Sequence, residues 1–227
     1  MSKHLERDLE NLQRDVLAMG ASVEEVIYKA IRALQERDED LAASVVDSDG
    51  SIDEFENRID EECLKILALH QPVATDLRRI AAVLMINTDL ERMADLAVDI
   101  AERAAVLATP PRLAIPSELQ RMADLTTVMV RECLNAFVNH DARAARQVIR
   151  LDDEVDGLNS AIIREIVGAM QRSPDHVEPG LSLFSAVRHL ERIADHATNI
   201  AEDVVYLVEG EIVRHRLEKE KEAKNAR

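Results

Sequence analysis

Two matching stretches, L-E-R-M-A-D at residues 90–95 and L-E-R-I-A-D at residues 190–195, determine how this chain of 227 residues is organised. Across residues 90–102 and 190–202, nine of the thirteen positions are identical. A match of this length and order indicates an internal duplication rather than coincidence. A functional site in one half of the chain is therefore expected to have a counterpart in the other half.

Residues that form turns are scarce: the whole chain holds six glycines and six prolines. A many-stranded sandwich or barrel needs more of them, whereas long stretches rich in Ala, Leu, Glu and Arg favour helices. The sequence therefore predicts an all-α protein. Asp38 and Asp141 are placed to cap helix starts. The breaks predict six helical segments near residues 3–37, 38–70, 74–108, 117–140, 141–172 and 180–222.

The stiffest break lies at Pro110, Pro111 and Pro116. It separates the two copies of the repeat, and short links between long helices make antiparallel neighbours. We therefore expect two tandem, duplicated three-helix bundles, built from six long antiparallel helices. The predicted boundary divides the chain into residues 1–111 and residues 112–227.

Composition excludes several classes of protein. A net charge of -16 and 2% aromatic residues leave neither a basic surface nor stacking side chains for nucleic acid. The longest apolar run, residues 80–86, is far shorter than a membrane span. The first residues lack the apolar core of a signal peptide, so we expect a cytoplasmic protein. Cys63 and Cys133 lie far apart and are expected to pack as small apolar side chains.

Acidic side chains form stripes along four of the predicted helices. On a helical wheel, the carboxylates of the third segment fall within one arc of about 80°, beside an apolar stripe. The sixth segment repeats this pattern, and the second and fifth segments carry related stripes. The stripes comprise Glu91, Asp95, Asp99 and Glu102; Glu191, Asp195, Asn199 and Glu202; Asp49, Asp53, Glu56 and Asp60; and Asp152, Asp156 and Asn159.

Stacked like charges destabilise a helix unless another group neutralises them. Arg92 and Arg192 point about 100° away from the neighbouring glutamates on the wheel, so a bound cation is the better partner. Carboxylate rows on facing helices suit hard ions such as iron(III), magnesium, manganese or calcium, and zinc remains open. Asp76 either closes this metal site or, with Thr75, caps the third helix.

A solvated amphipathic helix also has an acidic stripe beside an apolar stripe, so the charged-surface interpretation stays open. Asn159 and Asn199 replace carboxylates in the second half, which predicts weaker metal binding there. His189 and His196 flank the second repeat, either as hydrogen-bonded side chains or as metal ligands. Apolar residues outside the seam of the third and sixth helices, including Met93 and Ile200, predict packing against a further helix or a partner.

Three segments closely resemble the PhoU family, namely Q-P-V-A-T-D-L-R at residues 71–78, D-L-E-R-M-A-D at residues 89–95 and the stretch at residues 189–202. The resemblance covers nearly the whole chain and implies two tandem three-helix bundles. It also implies multinuclear iron or zinc clusters held by E(D)-x-x-x-D motifs. These motifs fall here on Asp49 and Asp53, Glu91 and Asp95, Asp152 and Asp156, and Glu191 and Asp195.

The resemblance implies a regulator of bacterial phosphate transport rather than an enzyme, and no common catalytic motif opposes this. Such a protein passes the phosphate status of a phosphate ABC transporter, through its ATPase, to a sensor histidine kinase, and restrains uptake. We expect a homodimer that reaches the membrane only peripherally, through these partners. Two alternatives use the same carboxylates: a metal-dependent phosphohydrolase and a metal-storage protein.

Overall fold

The computed structural model describes residues 3–210 and residue 213, without the side chain of Asp49. Its helical content confirms the prediction of an all-α fold, and the described residues form no β-strand. None of the described helices is both long and apolar enough to span a membrane. The helices are α1 (Lys3–Glu36), α2 (Glu39–Val46), α3 (Asp49–His70), α4 (Thr75–Ala108), α5 (Glu118–Asn139), α6 (Ala142–Arg172) and α7 (Val177–Glu209), with a 3-10 turn (Pro174–His176) before α7.

Two aspartates cap helices as predicted. The side chain of Asp38 accepts a hydrogen bond from the Leu41 backbone N–H at 2.9 Å, at the start of α2. Asp141 accepts two, from the backbone N–H groups of Arg143 and Ala144, at the start of α6. Each cap satisfies donors that have no partner within the helix, and so fixes where the helix begins.

The second predicted segment is not one helix, because it divides into α2 and α3 at Asp47 and Ser48. The Ser48 hydroxyl donates to the Val45 carbonyl at 2.7 Å, and the Ser48 backbone N–H donates to the same carbonyl, three residues back, at 3.1 Å. Local bonds of this kind compete with regular helical bonding. Residues 38–70 therefore bend, although no Gly or Pro stands at the break.

The sixth predicted segment differs from α7 at both ends. The helix begins at Val177, before Pro179, since a proline is tolerated in a first turn where backbone N–H groups have no helical partner. It ends at Glu209, because Gly210 adopts the left-handed conformation with φ 74°. Apart from Val213, the remainder of the predicted segment, up to residue 222, lies outside the described residues.

Helices α4 and α7 form the centre of the molecule and pack against each other in antiparallel orientation, more extensively than any other pair. Helix α4 also packs on α1, α2 and α3, and α7 packs on α5 and α6. Apolar residues outside each seam, including Met93 and Ile200, are fully buried. The predicted need for a further helix is thus met by the α4–α7 contact. The boundary between residues 111 and 112 stays a prediction.

The two cysteines, Cys63 and Cys133, are free and fully buried, as expected for small apolar side chains. Burial raises the pKa of the Cys63 thiol to about 12, with a further contribution from the charge of Asp60. Both thiols are therefore protonated at neutral pH and lack the reactivity of a thiolate.

Arg37 joins the end of α1 to the end of α4 and to the connection before α5. It has a left-handed backbone, with φ 58°, at the end of α1. Its guanidinium donates to the Leu107 carbonyl at 2.8 Å, in the last turn of α4, and to the Leu113 carbonyl in the connection to α5. Burial lowers the pKa of Arg37, and nearby Arg112 lowers it further. The planar fork of the guanidinium allows one side chain to satisfy two carbonyls.

We expect Arg37→Ala to lower the free energy of unfolding by about 1–3 kcal/mol, because two carbonyl groups lose a charged donor. Arg37→Lys is expected to recover less than half of this loss, since an ammonium lacks the planar fork. Urea denaturation followed by circular dichroism measures both values. The matched control is Arg32→Ala, which removes an exposed pair with Glu36 one turn away. An equal effect of the two alanine variants would contradict this role for Arg37.

Candidate functional site

The acidic stripes of α3 and α4 face each other and form what we term the first carboxylate cluster: Asp53, Glu56, Asp60, Glu91 and Asp95. Burial raises the pKa of Glu56, and the charges of Asp60 and Asp53 on α3 and of Asp95 on α4 raise it further. The charge of Glu56 in turn raises the pKa of Glu91, so carboxylates of the two helices lie near one another. The structure therefore brings the predicted residues Asp53, Glu91 and Asp95 to one site.

Glu91 is the most perturbed member of this cluster. Burial raises its pKa to about 7, with further contributions from Asp95 and Glu56 and a smaller opposing one from Arg92. Its Oε2 atom is buried and accepts no hydrogen bond from the described residues. A buried carboxylate oxygen that accepts no hydrogen bond is costly in a protein interior, and a cation closer than an exposed arginine would offset that cost.

Arg92 lies closer to the cluster than the helical wheel predicts. Its Nε atom is 3.3 Å from Oε2 of Glu91, and its Nη1 atom is 3.3 Å from Oδ2 of Asp95. The expectation that Arg92 points away was wrong, because a long, flexible side chain can turn back across its own helix. The Arg92 side chain is 57% exposed, so these ion pairs are weak and leave most of the negative charge uncompensated.

Asn87 and Asp60 contribute to the site, although neither was among the predicted ligands. Asn87 is fully buried, and its amide donates to Oδ1 of Asp60 at 2.9 Å and to the Glu56 carbonyl at 3.0 Å. These bonds fix α3 against α4. The sequence does indicate Glu56 and Asp60 as members of the site, because they continue the helical spacing of Asp53. The role of Asn87 depends on tertiary packing and had no signal in the sequence.

The second carboxylate cluster consists of Asp152 and Asp156 on α6 with Glu191 and Asp195 on α7. Burial raises the pKa of Asp195 to about 7, and the charges of Glu191, Asp152 and Asp156 raise it further, although part of the residue faces solvent. Glu191 is 9% exposed, and its Oε2 atom is buried without a hydrogen bond from any described residue. The other three predicted ligands of the E(D)-x-x-x-D motifs in the second half thus lie near Asp195.

The second cluster carries fewer charges than the first. Asn159 occupies the position equivalent to Glu56 and is buried, 5% exposed. Arg188 donates to Oε1 of Glu191 at 2.8 Å, and the Thr198 hydroxyl donates to Oδ1 of Asp152 at 3.4 Å. A cation here would meet fewer carboxylates. This difference favours weaker metal binding in the second half.

The other predicted ligands lie elsewhere. Asp99 and Asn199 are at the α4–α7 contact, where Oδ2 of Asp99 is 3.7 Å from Nδ1 of His189, and Asn199 donates to Asp89 at 3.3 Å. Asp76 is in the first turn of α4, about 22 Å along the helix from Glu91 at 1.5 Å per residue, so it cannot share an ion with Glu91.

Asp76 and Thr75 also do not cap α4. The N-cap residue is Ala74, and no side chain supplies a capping bond there. Ala74 has φ 50° and ψ -114°, so the chain reverses direction sharply after Pro72. Asp49 begins α3, but its side chain lies outside the described residues, and its predicted role as a ligand stays a prediction.

The donor set fits a hard cation, since both clusters supply carboxylate oxygens and each has a buried oxygen that accepts no hydrogen bond from the described residues. Within residues 3–210 and 213, however, no three acidic, histidine or cysteine side chains converge closely enough to coordinate one ion. Metal ligation by these residues therefore stays a prediction.

Comparison with known proteins places this architecture in context. The PhoU domain family matches the chain twice, at residues 16–104 and at residues 119–204. The chain is 41% identical over 218 residues to a phosphate-specific transport system accessory protein PhoU homolog of Pseudomonas putida, covering 95% of this chain and 84% of the relative. It is 40% identical over 215 residues to the homolog of Aquifex aeolicus, covering 95% and 97% respectively.

Two crystal structures share the fold. PhoU from Pseudomonas aeruginosa superposes with a TM-score of 0.86 at 40% identity, covering 91% of this chain and 99% of that structure. The phosphate transport system regulatory protein PhoU from Streptococcus pneumoniae superposes with a TM-score of 0.87 at 32% identity, covering 92% and 99%. Both copies of the domain match, and the chain covers 84% and 97% of the two homologs, so the chain belongs to the PhoU family.

Proposed function

We propose that this protein regulates phosphate transport as an accessory protein of a phosphate-specific transport system. The observation that carries the proposal is a sequence identity of 41% and 40%, over 95% of this chain, to relatives named as accessory proteins of that system. The similar protein of Streptococcus pneumoniae is named a regulatory protein of phosphate transport. The duplicated domain and the shared fold extend the similarity over most of the described chain.

The finer form of the proposal is an adaptor without catalytic activity. It restrains high-affinity phosphate uptake and represses the phosphate-starvation response when phosphate is plentiful. Its partners are the ATPase of a phosphate ABC transporter and a sensor histidine kinase, and it acts in the cytoplasm as a homodimer. The names of the relatives support the transporter, whereas the kinase, the dimer and the compartment follow from the family resemblance alone.

We further propose that the clusters bind metal ions. The first site would use Asp53, Glu91 and Asp95, with Asp49 added by its spacing, and the second would use Asp152, Asp156, Glu191 and Asp195. Bound iron or zinc, or alternatively magnesium, manganese or calcium, would supply positive charge between paired helices. The residues of the chain hold α3 against α4, and α6 against α7, so that ions bound by these carboxylates would lie between paired helices.

Regulation can be tested in a bacterium that lacks its own copy of the gene and carries a phosphate-starvation reporter. We expect the parent chain to lower reporter activity at least five-fold in phosphate-rich medium. Glu91→Gln/Asp95→Asn should lose most of this repression if the first cluster supports the adaptor. The matched control is Glu6→Gln/Glu10→Gln, which neutralises two exposed carboxylates at the same spacing on α1.

Failure of the parent chain to repress would contradict the regulatory role. Repression by Glu91→Gln/Asp95→Asn at the parental level would separate regulation from the first cluster. Turnover of a phosphoester by the metal-loaded parent would instead support the phosphohydrolase alternative, in which carboxylate-bound metals activate water. The purified parent is therefore assayed in parallel with a generic phosphomonoester and each candidate metal.

The electrostatics of Glu91 predict opposite effects with and without metal. Its pKa is about 7 in the folded chain and near 4.5 when unfolded, so its ionisation opposes folding increasingly as pH rises from 4.5 to 7. In EDTA at pH 8, Glu91→Gln/Asp95→Asn should therefore stabilise the protein by about 1–2 kcal/mol. The gain should shrink towards pH 5, where Glu91 is already protonated in the folded chain.

Bound metal should reverse the order of stability, so that the parent becomes more stable than Glu91→Gln/Asp95→Asn. Added iron or zinc should raise the unfolding midpoint of the parent, because a ligand that binds the folded state stabilises it, and should raise that of the variant less. Urea denaturation in EDTA and in metal measures both effects, with Glu6→Gln/Glu10→Gln as the control that follows the parent. A variant that is less stable than the parent in EDTA would show that these carboxylates are structural.

A further inference from the structure

The contact between α4 and α7 has an internal two-fold relation that the sequence repeat makes visible. Equivalent positions of the two helices differ by 100 residues, so residue 89 corresponds to 189 and residue 99 to 199. Because the helices are antiparallel, the contact of Asp89 with Asn199 is the symmetry counterpart of the contact of His189 with Asp99. The two ends of one interface can therefore be compared directly.

At one end of the interface, a buried carboxylate accepts hydrogen bonds from the facing helix. Asp89 of α4 is 9% exposed, and its Oδ1 atom lies 2.7 Å from Nδ1 of His196 and 3.3 Å from Nδ2 of Asn199, both on α7. Since a carboxylate oxygen only accepts, both side chains of α7 donate to it. Two donors from the facing helix thus compensate a charge that α4 carries into the interface.

The other end of the interface lacks such a hydrogen bond between α4 and α7. His189 Nδ1 is 3.7 Å from Asp99 Oδ2, beyond hydrogen-bond distance, and Nε2 of His189 bonds instead to Ser185 of the same helix at 3.0 Å. The equivalent of His196 in the first half is Leu96, which is buried and donates nothing. The hydrogen-bonded polar contact therefore exists at only one of the two equivalent ends of the interface.

Between these ends, the residues on the same side of each helix as Asp89 and His196 are apolar and buried, including Met93, Leu96 and Ile100 on α4 and Ile193 and Ile200 on α7. Apolar contact is not directional, so a displacement of one helical turn, about 5.4 Å, would preserve much of it.

A buried polar group is the kind of feature that selects one register among several apolar alternatives. We infer that Asp89, through His196 and Asn199, fixes the axial register of the two halves of the protein against each other. A slip by one turn would leave the buried carboxylate of Asp89 without its donors. The same register sets where Glu91 lies relative to Glu191, and hence the spacing of the two carboxylate clusters.

The register can be measured by the distance between spin labels on cysteines introduced at Ala105 of α4 and Val208 of α7, which are both exposed. Most of their separation runs along the helix axes, so a slip changes it directly. Cys63 and Cys133 stay in place, since both are buried. The unsubstituted parent serves as the labelling blank.

Asp89→Leu/His196→Leu removes the buried charge together with its main donor. We expect the parent to give one distance and the variant to give a second population displaced by about 5 Å. Asp89→Asn keeps an oxygen acceptor and should retain the parental distance. His189→Leu, at the position equivalent to residue 89, is the matched control and should also retain it.

A helical Asp89→Leu/His196→Leu variant with only the parental distance would overturn the inference. So would a second distance of equal population in the His189→Leu control. Should the double variant fail to fold, His196→Leu is measured alone, because the first half already tolerates leucine at the equivalent position. That variant must then show the second population, and a single parental distance would contradict the role of the pair.

Discussion

The antiparallel contact between α4 and α7 is the constraint on which the other features of this protein depend. Each helix buries apolar side chains on more than one face, which a three-helix bundle alone does not require. Packing the two helices together covers these faces and leaves one acidic stripe on each. The stripe of α4 then meets α3 and the stripe of α7 meets α6, so the core determines where the charges accumulate.

This arrangement places carboxylates where ionisation is unfavourable. Burial comes first and repulsion second in raising the pKa values of Glu91 and Asp195 to about 7. Exposed arginines such as Arg92 provide only weak compensation. Ionisation of two such clusters, in equivalent positions of both halves, lowers the free energy of unfolding. That cost is the physical argument for a cation as their partner, and it applies more strongly to the first half.

Much of the fold was predictable because it follows from local rules. Scarce turn residues, helical spacing and the caps at Asp38 and Asp141 place most helices, and the repeat predicts paired sites. The bend at Ser48 was not predictable, since it depends on side-chain bonds within otherwise helical sequence. Three further features depend on tertiary packing. They are the direction of the Arg92 side chain, the hydrogen bonds of Arg37, and the placement of Asp99 and Asn199 at the α4–α7 contact. Wheel geometry alone does not describe that packing.

Metal location tests the central claim most directly. Crystals of protein purified without chelator are measured at the absorption edges of iron and zinc, and anomalous difference maps locate each ion. The account predicts peaks between α3 and α4, within about 2.0–2.6 Å of carboxylate oxygens of Glu91 and Asp95, with weaker peaks beside Glu191 and Asp195. Metal found only away from both clusters, or no peak with the metal supplied in excess, would contradict it.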